Sequence, residues 1–253
     1  MVRVITALSL LVWLIGLPAC ADEVALRLPS GAEVVSQRYP AAHGPVLLWL
    51  TDQSGQEAAE QRAAVRLAES RGEVWLTDLY APWFLPQLSS SAARVPETDL
   101  GDWLEAVRRR VPDRRLVLVA AGHLADPALR AVSVWQSRHR SAAVSRFDVV
   151  LLFPLLYRTV EAGSEPDYID AVDSARLNVA ILQPRSAAGY WWRERLARRM
   201  EAAGSRVRMT VLEGLRDGFY QRGDTTDVEQ AAGARLGETI RTTLDTLIEE
   251  TPP

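Results

Sequence analysis

Arg115-Leu-Val-Leu-Val-Ala-Ala121 (RLVLVAA), set between Pro112-Asp113 and Gly122-His123-Leu124, decides the fold. An apolar run of this length, bounded by turn residues and without polar alternation, reads as a strand buried on both faces, and so as the centre of a parallel sheet covered by helices. Its C-terminal neighbour begins at Pro127 and runs to Arg140 as a predicted helix, with Asp126 as N-cap and Pro127 at the first position.

The same strand-then-helix grammar extends in both directions. Upstream, Val24–Leu28 and Val34–Arg38, separated by Pro29-Ser30-Gly31, predict an opening hairpin, and Val46–Leu50 (VLLWL) a buried strand. Glu57–Ser70 places Ala59, Ala63 and Leu67 on one helical face and stops before Gly72; Glu73–Leu76 is the next strand. Tyr80 to Pro96 is an aromatic, proline-punctuated loop, long for a compact domain and therefore a lid or a binding element. Asp99–Val111 reads as a helix capped by Thr98 or Asp99 and closed by Pro112. Downstream, Asp148–Phe153, Leu177–Gln183 and Arg206–Leu212 are predicted strands, and Ala188–Ala203 and Val228–Glu250 predicted helices. The fold class is α/β: a mostly parallel central sheet of about eight strands flanked by helices, in one domain over 22–250, with 251–253 a frayed tail.

The first residues read differently. Arg3, the uncharged run Val4–Leu17 and the small residues Ala19 and Ala21 make the three parts of an export signal over 1–21. Leu17-Pro-Ala-Cys20 is similar to a lipoprotein cleavage box, which would acylate Cys20; Ala19-Cys-Ala21 equally suits a soluble protein starting at Asp22. The periplasm or cell envelope is the expected location, with membrane attachment through Cys20 in the first case.

Composition excludes several chemistries. Cys20 is the single cysteine, so the folded part has neither a thiol nucleophile nor a disulfide. All 29 basic residues are arginine, which removes Schiff-base and Ser-Lys mechanisms. Three scattered histidines, His43, His123 and His139, lack any metal-ligand spacing, so neither a metal nor a cofactor is expected. The net charge of −3 and the absence of a basic stripe argue against nucleic acid.

An antiparallel start, strand-helix alternation and a central VLV strand turning sharply into a helix resemble the α/β-hydrolase superfamily over nearly all of 24–250. The resemblance implies a catalytic serine in a G-x-S-x-G elbow directly after the central strand, an acid after a later strand and a histidine after the last. Laid on this sequence, the elbow puts Ala120 and Leu124 at the glycines and Gly122 at the nucleophile. Leu124 would crowd the turn, and a helix starting at Pro127 comes later than an elbow allows. Ser186 falls at the acid position and Asp217 at the histidine position. The expectation is a degenerate member working as a non-catalytic binding or interaction module, for an unidentified small molecule or envelope protein.

Its expected crevice comprises Asp52, the Trp83 loop, Gly122-His123 and Asp217, at the carboxyl ends of the strands where open α/β sheets bind ligands. Two alternatives stand beside it. One is an active ester or peptide hydrolase with a displaced nucleophile, Ser54 or Ser186, and His123 as base, although the Ser54 loop in the family stabilises an oxyanion and does not attack. The other is a structural lipoprotein. Each candidate also has a plainer role: His123 hydrogen-bonding its turn, His43 and His139 on the surface, the Trp83 loop packing on the sheet, and Ser89–Ser91 a flexible polar turn. Tyr190-Trp191-Trp192 cannot turn both adjacent indoles to the core from a helix, so one meets a partner, a membrane or a loop. The runs Arg108–Arg110 and Arg193–Arg199 read as solvated helix faces.

Overall fold

A computed structural model describes residues 21–51, 58–139, 147–158 and 164–249. Eight strands form one sheet: β1 (Asp22–Arg27), β2 (Glu33–Tyr39), β3 (Val46–Thr51), β4 (Glu73–Asp78), β5 (Leu116–Ala121), β6 (Phe147–Leu152), β7 (Leu177–Pro184) and β8 (Arg206–Leu212). Their order is β1-β2-β4-β3-β5-β6-β7-β8. β1 and β2 run antiparallel to their neighbours, and β4, β3, β5, β6, β7 and β8 are mutually parallel.

Side-chain alternation in the strands builds two cores. Leu48, Leu118, Val149 and Val179 enter one, which is completed by helices α2 (Glu97–Arg110), α3 (Ala125–Arg138), α4 (Ala171–Ser174) and α5 (Arg193–Ala202). Trp49, Val117, Val119 and Val150 enter the other, under helices α1 (Ala58–Ser70), α6 (Asp227–Ala234) and α7 (Leu236–Glu249). All six residues of β5 are buried, as its unbroken apolar sequence predicts.

Polar pins hold the amino ends of the strands. Glu73, 2% exposed, accepts from Arg38 Nε at 2.7 Å, Arg114 Nη1 at 2.7 Å and Trp75 Nε1 at 2.6 Å. Asp148 accepts from Arg115 and, at 3.1 Å, from Asn178 Nδ2. A buried carboxylate so surrounded is tolerated because its partners replace its water.

Several boundaries differ from the sequence reading. The helix after β5 begins at Ala125, two residues before Pro127, because a 3-10 turn over Gly122–Leu124 feeds straight into it. Pro127 lies inside the first turn, where its missing N–H has no acceptor to lose. Asp126 is therefore no N-cap; its carboxylate pairs with Arg130 at 2.9 Å. Asp99 likewise does not cap α2, which starts at Glu97 after Pro96. Ala188–Trp192 is a 3-10 turn ahead of α5, and the final helix is broken at Arg235 into α6 and α7. At Gly237 a Cβ would stand 3.1 Å from the Ala63 backbone, so this glycine allows α7 to cross α1 closely. The short α4 was not expected; four residues carry too little periodicity to be read.

Candidate functional site

At the carboxyl end of β5 the chain reverses on Gly122, whose φ is +54°. A left-handed residue immediately after a central strand, followed at once by helix, has the form of the hydrolase elbow. The late start and crowding anticipated for this turn are thus corrected: the helix follows directly, and Leu124, 3% exposed, points into the core and away from the turn. The Gly122 carbonyl accepts from the Leu155 amide at 2.9 Å, tying the turn to the segment after β6. There Phe153 also takes a positive φ, +40°, with its amide donating to Leu182 at 2.9 Å. Its ring covers the turn, and a Cβ on Gly122 would meet Phe153 Cε2 at 3.7 Å.

The other side of the turn is closed from β4. Asp78 Oδ1 accepts from the Tyr80 amide at 2.6 Å and the Ala81 amide at 3.3 Å, a local device by which an Asp bends its own chain. The bend delivers Tyr80 into the core, where its ring stacks on His123 at 6.3 Å with planes 9° apart. Tyr80 is therefore the loop residue that meets His123, and no sequence signal marked it apart from its place at the loop's start. Trp83 does not join the crevice. Its indole Nε1 donates to Asp99 Oδ2 at 2.8 Å, which also accepts from Ser30 Oγ at 3.0 Å, so Trp83 fastens the loop to the start of α2 and to the opening hairpin. Phe84 beside it is 96% exposed.

The loop after β8 supplies Asp217. Its Oδ1 is buried and has no hydrogen-bond partner among the described residues. Burial pushes this carboxyl above its usual range, against the opposing pull of the Gly218 amide and nearby Arg222. The Tyr157 phenol is raised in turn, first by its own burial and then by the Asp217 charge. Phe219 packs edge-on to Phe153 with centroids 6.1 Å apart, and Tyr220 donates to buried Glu60 Oε1 at 3.0 Å. Aromatic rings thereby join Asp217's loop to the turn at Gly122. The Ser186 amide donates to Leu215 at 3.2 Å, setting the β7 and β8 loops side by side, with Ser186 itself exposed.

Of the expected crevice, the structure thus gathers Gly122, His123 and Asp217 at one end of the sheet and sends Trp83 elsewhere. Asp52, Ser54 and Cys20 lie outside the described residues. His43 is exposed before β3, its carbonyl accepting from Arg114 at 3.1 Å. His139 stacks on Trp135 at 4.1 Å at the end of α3. No group of His, Cys, Asp and Glu among the described residues has the geometry to hold a metal ion. No helix among them is long and apolar enough to cross a membrane.

Three surface readings change. Ser91 is buried in a 3-10 turn over Ser89–Arg94, while Ser89 and Ser90 are exposed, so only the first two serines of the run face outward. Arg108 lies over the Phe147 ring at 5.5 Å and donates to Arg114 O, and is therefore not a solvated face. Trp191 and Trp192 both face outward, 79% and 36% exposed, while Tyr190 lies under Arg193 at 4.0 Å.

Fold and turn together define the class: this is an α/β-hydrolase-fold chain. It is similar to a carboxyl esterase from the fungus Tuber melanosporum (13% identity over 92% of this chain and 89% of that one, TM-score 0.61) and to a hyperthermophilic esterase from Pyrobaculum calidifontis (12%, 89% and 84%, TM-score 0.58). The esterase Est22 matches at 9% identity over 91% of this chain and 82% of that one, with a TM-score of 0.66. No protein-family model and no curated protein sequence matches the chain.

Proposed function

We propose that this chain is a non-catalytic member of the α/β-hydrolase fold, a binding or interaction module whose ligand crevice lies around Gly122, His123, Tyr157 and Asp217. The carrying observation is Gly122: it holds the left-handed backbone of the nucleophile turn at φ +54° and brings no side chain to attack with. Asp217 supports the same reading: it stands where the resemblance places the histidine, and a carboxylate is a much weaker base than an imidazole toward a serine hydroxyl. A crevice at this place would set aromatic rings beside one poorly solvated carboxyl, a combination suited to an uncharged or cationic small molecule.

A fluorophosphonate probe tests the proposal. The protein is expected to stay unlabelled. Covalent labelling of Ser54 or Ser186 that is lost in His123→Ala would establish the competing reading, an ester or peptide hydrolase with a displaced nucleophile, which the esterase neighbours favour.

We further propose that the protein works in the cell envelope after export directed by residues 1–21, with Cys20 acylated. Intact-mass measurement of the mature chain tests this: an acylated N-terminal Cys20 is expected, and a free Asp22 amine refutes the anchor.

A further inference from the structure

The opening hairpin leaves one face of the sheet uncovered. Val24 and Leu26 of β1 turn toward the core under α2 and α3, whereas Glu23, Ala25 and Arg27 point the other way and are exposed. Beside them in register stand Gln37, Val35 and Glu33 of β2, with Val35 exposed as well. A groove of about 780 Å³ runs along this face from Glu23 past Val35 to Asp78 and Phe84, with Gln61 of α1 on its other bank. Val65, also exposed, follows one turn after Gln61 on the same stripe of α1. Phe84 is turned fully to solvent from a left-handed backbone that disfavours a bulky side chain. Three large apolar side chains thus surround one groove without being covered, the grouping that marks a contact surface.

We infer that this face is the docking surface for a basic amphipathic helix of a partner protein, lying beside α1 and completing the helical layer over β1 and β2. Charge selects the occupant. Asp22, Glu23, Glu33 and Asp78 line the groove, and no arginine does. Asp22 is paired with Arg38 at 3.0 Å. Asp78 accepts from neutral donors, the Tyr80 and Ala81 amides and Gln87 Nε2. Glu23 and Glu33 pair with no cation among the described residues, Arg27 standing opposite Glu33 in the ladder without an ion pair to it. Such a face repels phosphate-bearing lipids and nucleic acid, and a neutral apolar partner would strip water from its carboxylates without replacing it. The opening is a sheet face, and the rest of this side is covered by helices α1, α6 and α7, so a helix is the element that fits it.

The seven residues of β2 span about 20 Å, the length of a helix of about 14 residues. Apolar residues spaced by three and four along such a helix meet Val35, Val65 and Phe84, and basic residues flanking them reach Glu23, Glu33 and Asp78. A cation over the Phe84 ring adds a further contact. The arginine-rich helix of this chain, α5, has its own apolar residues Leu196 and Met200 buried, so a second copy has no such face to offer. The partner is therefore a different protein, and the surface does not depend on whether a ligand binds near Gly122.

Fluorescence anisotropy with a labelled peptide of about 14 residues, leucines on one helical face and lysines on the other, tests the inference. The purified protein is expected to bind it about tenfold or more tighter than the same peptide with glutamate in place of lysine. Glu23→Gln combined with Glu33→Gln, at exposed positions with no ion pair to lose, is expected to weaken binding about tenfold. Phe84→Gly, which suits the left-handed backbone, is expected to weaken it by a similar factor, with thermal unfolding showing that both variants fold. Glu194→Gln combined with Glu201→Gln on α5 makes the same change in net charge at exposed positions and is expected to leave binding unchanged. No binding, equal affinity for the glutamate peptide, indifference to both groove variants, or an equal loss in the α5 variant overturns the inference. Self-association of the protein that Phe84→Gly abolishes would give the face to a second copy and overturn it as well.

Discussion

Gly122→Ser puts a hydroxyl at the turn, and the structure sets what it should do. A non-glycine residue in left-handed backbone costs about 1–2 kcal/mol. The new Cβ adds no clash, since its nearest neighbour, Phe153 Cε2, lies at an ordinary contact distance of 3.7 Å. Removing glycine also reduces the freedom of the unfolded chain, which returns about 0.4–1 kcal/mol. The net loss is about 1 kcal/mol, a fall of about 2–4 °C in melting temperature for a domain of this size. On the proposed reading, in which Asp217 takes the place of the histidine, the serine so placed is expected to remain unreactive toward a fluorophosphonate. Gly122→Ser combined with Asp217→His is expected to label at a measurable rate. The assay is thermal unfolding followed by intact-mass detection of the adduct. Rapid labelling of the single variant would show that His123 or another base already serves this turn, and would refute the reasoning. A loss well above about 3 kcal/mol would show that the turn has no room for a side chain.

Three further outcomes follow from the same contacts. Asp217→Asn is expected to stabilise the protein at pH 7: a carboxyl raised by burial favours the folded state below its unfolded pKa, and that contribution is lost as pH rises through the folded value, so the variant's advantage over wild type should vanish on acidification below about pH 4 in pH-dependent melts. Glu229 is held well below the usual carboxylate range by Arg216 and by the Thr226 amide in the capping box of α6. Its contribution is complete above the unfolded pKa and is lost as pH falls below about 4.5, so Glu229→Gln should flatten the acid limb of the stability profile, read by urea unfolding between about pH 5 and pH 2. Trp83→Phe removes the indole donor to Asp99 and is expected to cost about 1–2 kcal/mol in urea unfolding, with ligand binding in the crevice unchanged; loss of binding would return Trp83 to the site.

The sequence by itself determined the sheet. Each strand announces itself through an apolar run or an alternation, and each connection through glycine and proline, because burial on one or two faces leaves a period in the chain. It also places a glycine at 122, directly after the central strand, which is visible without coordinates. Helix starts were less legible: a proline in the first turn satisfies the same rule at several positions, so Pro127 marked the helix after β5 without locating its beginning. The tertiary structure alone decided what meets at the crevice. That Gly122 is left-handed, that Phe153 covers it, that Tyr80 and not Trp83 reaches His123, and that an Asp217 oxygen is buried without a partner among the described residues all depend on residues tens of positions apart. Such contacts are fixed by packing between strand ends, and packing leaves no period along the chain.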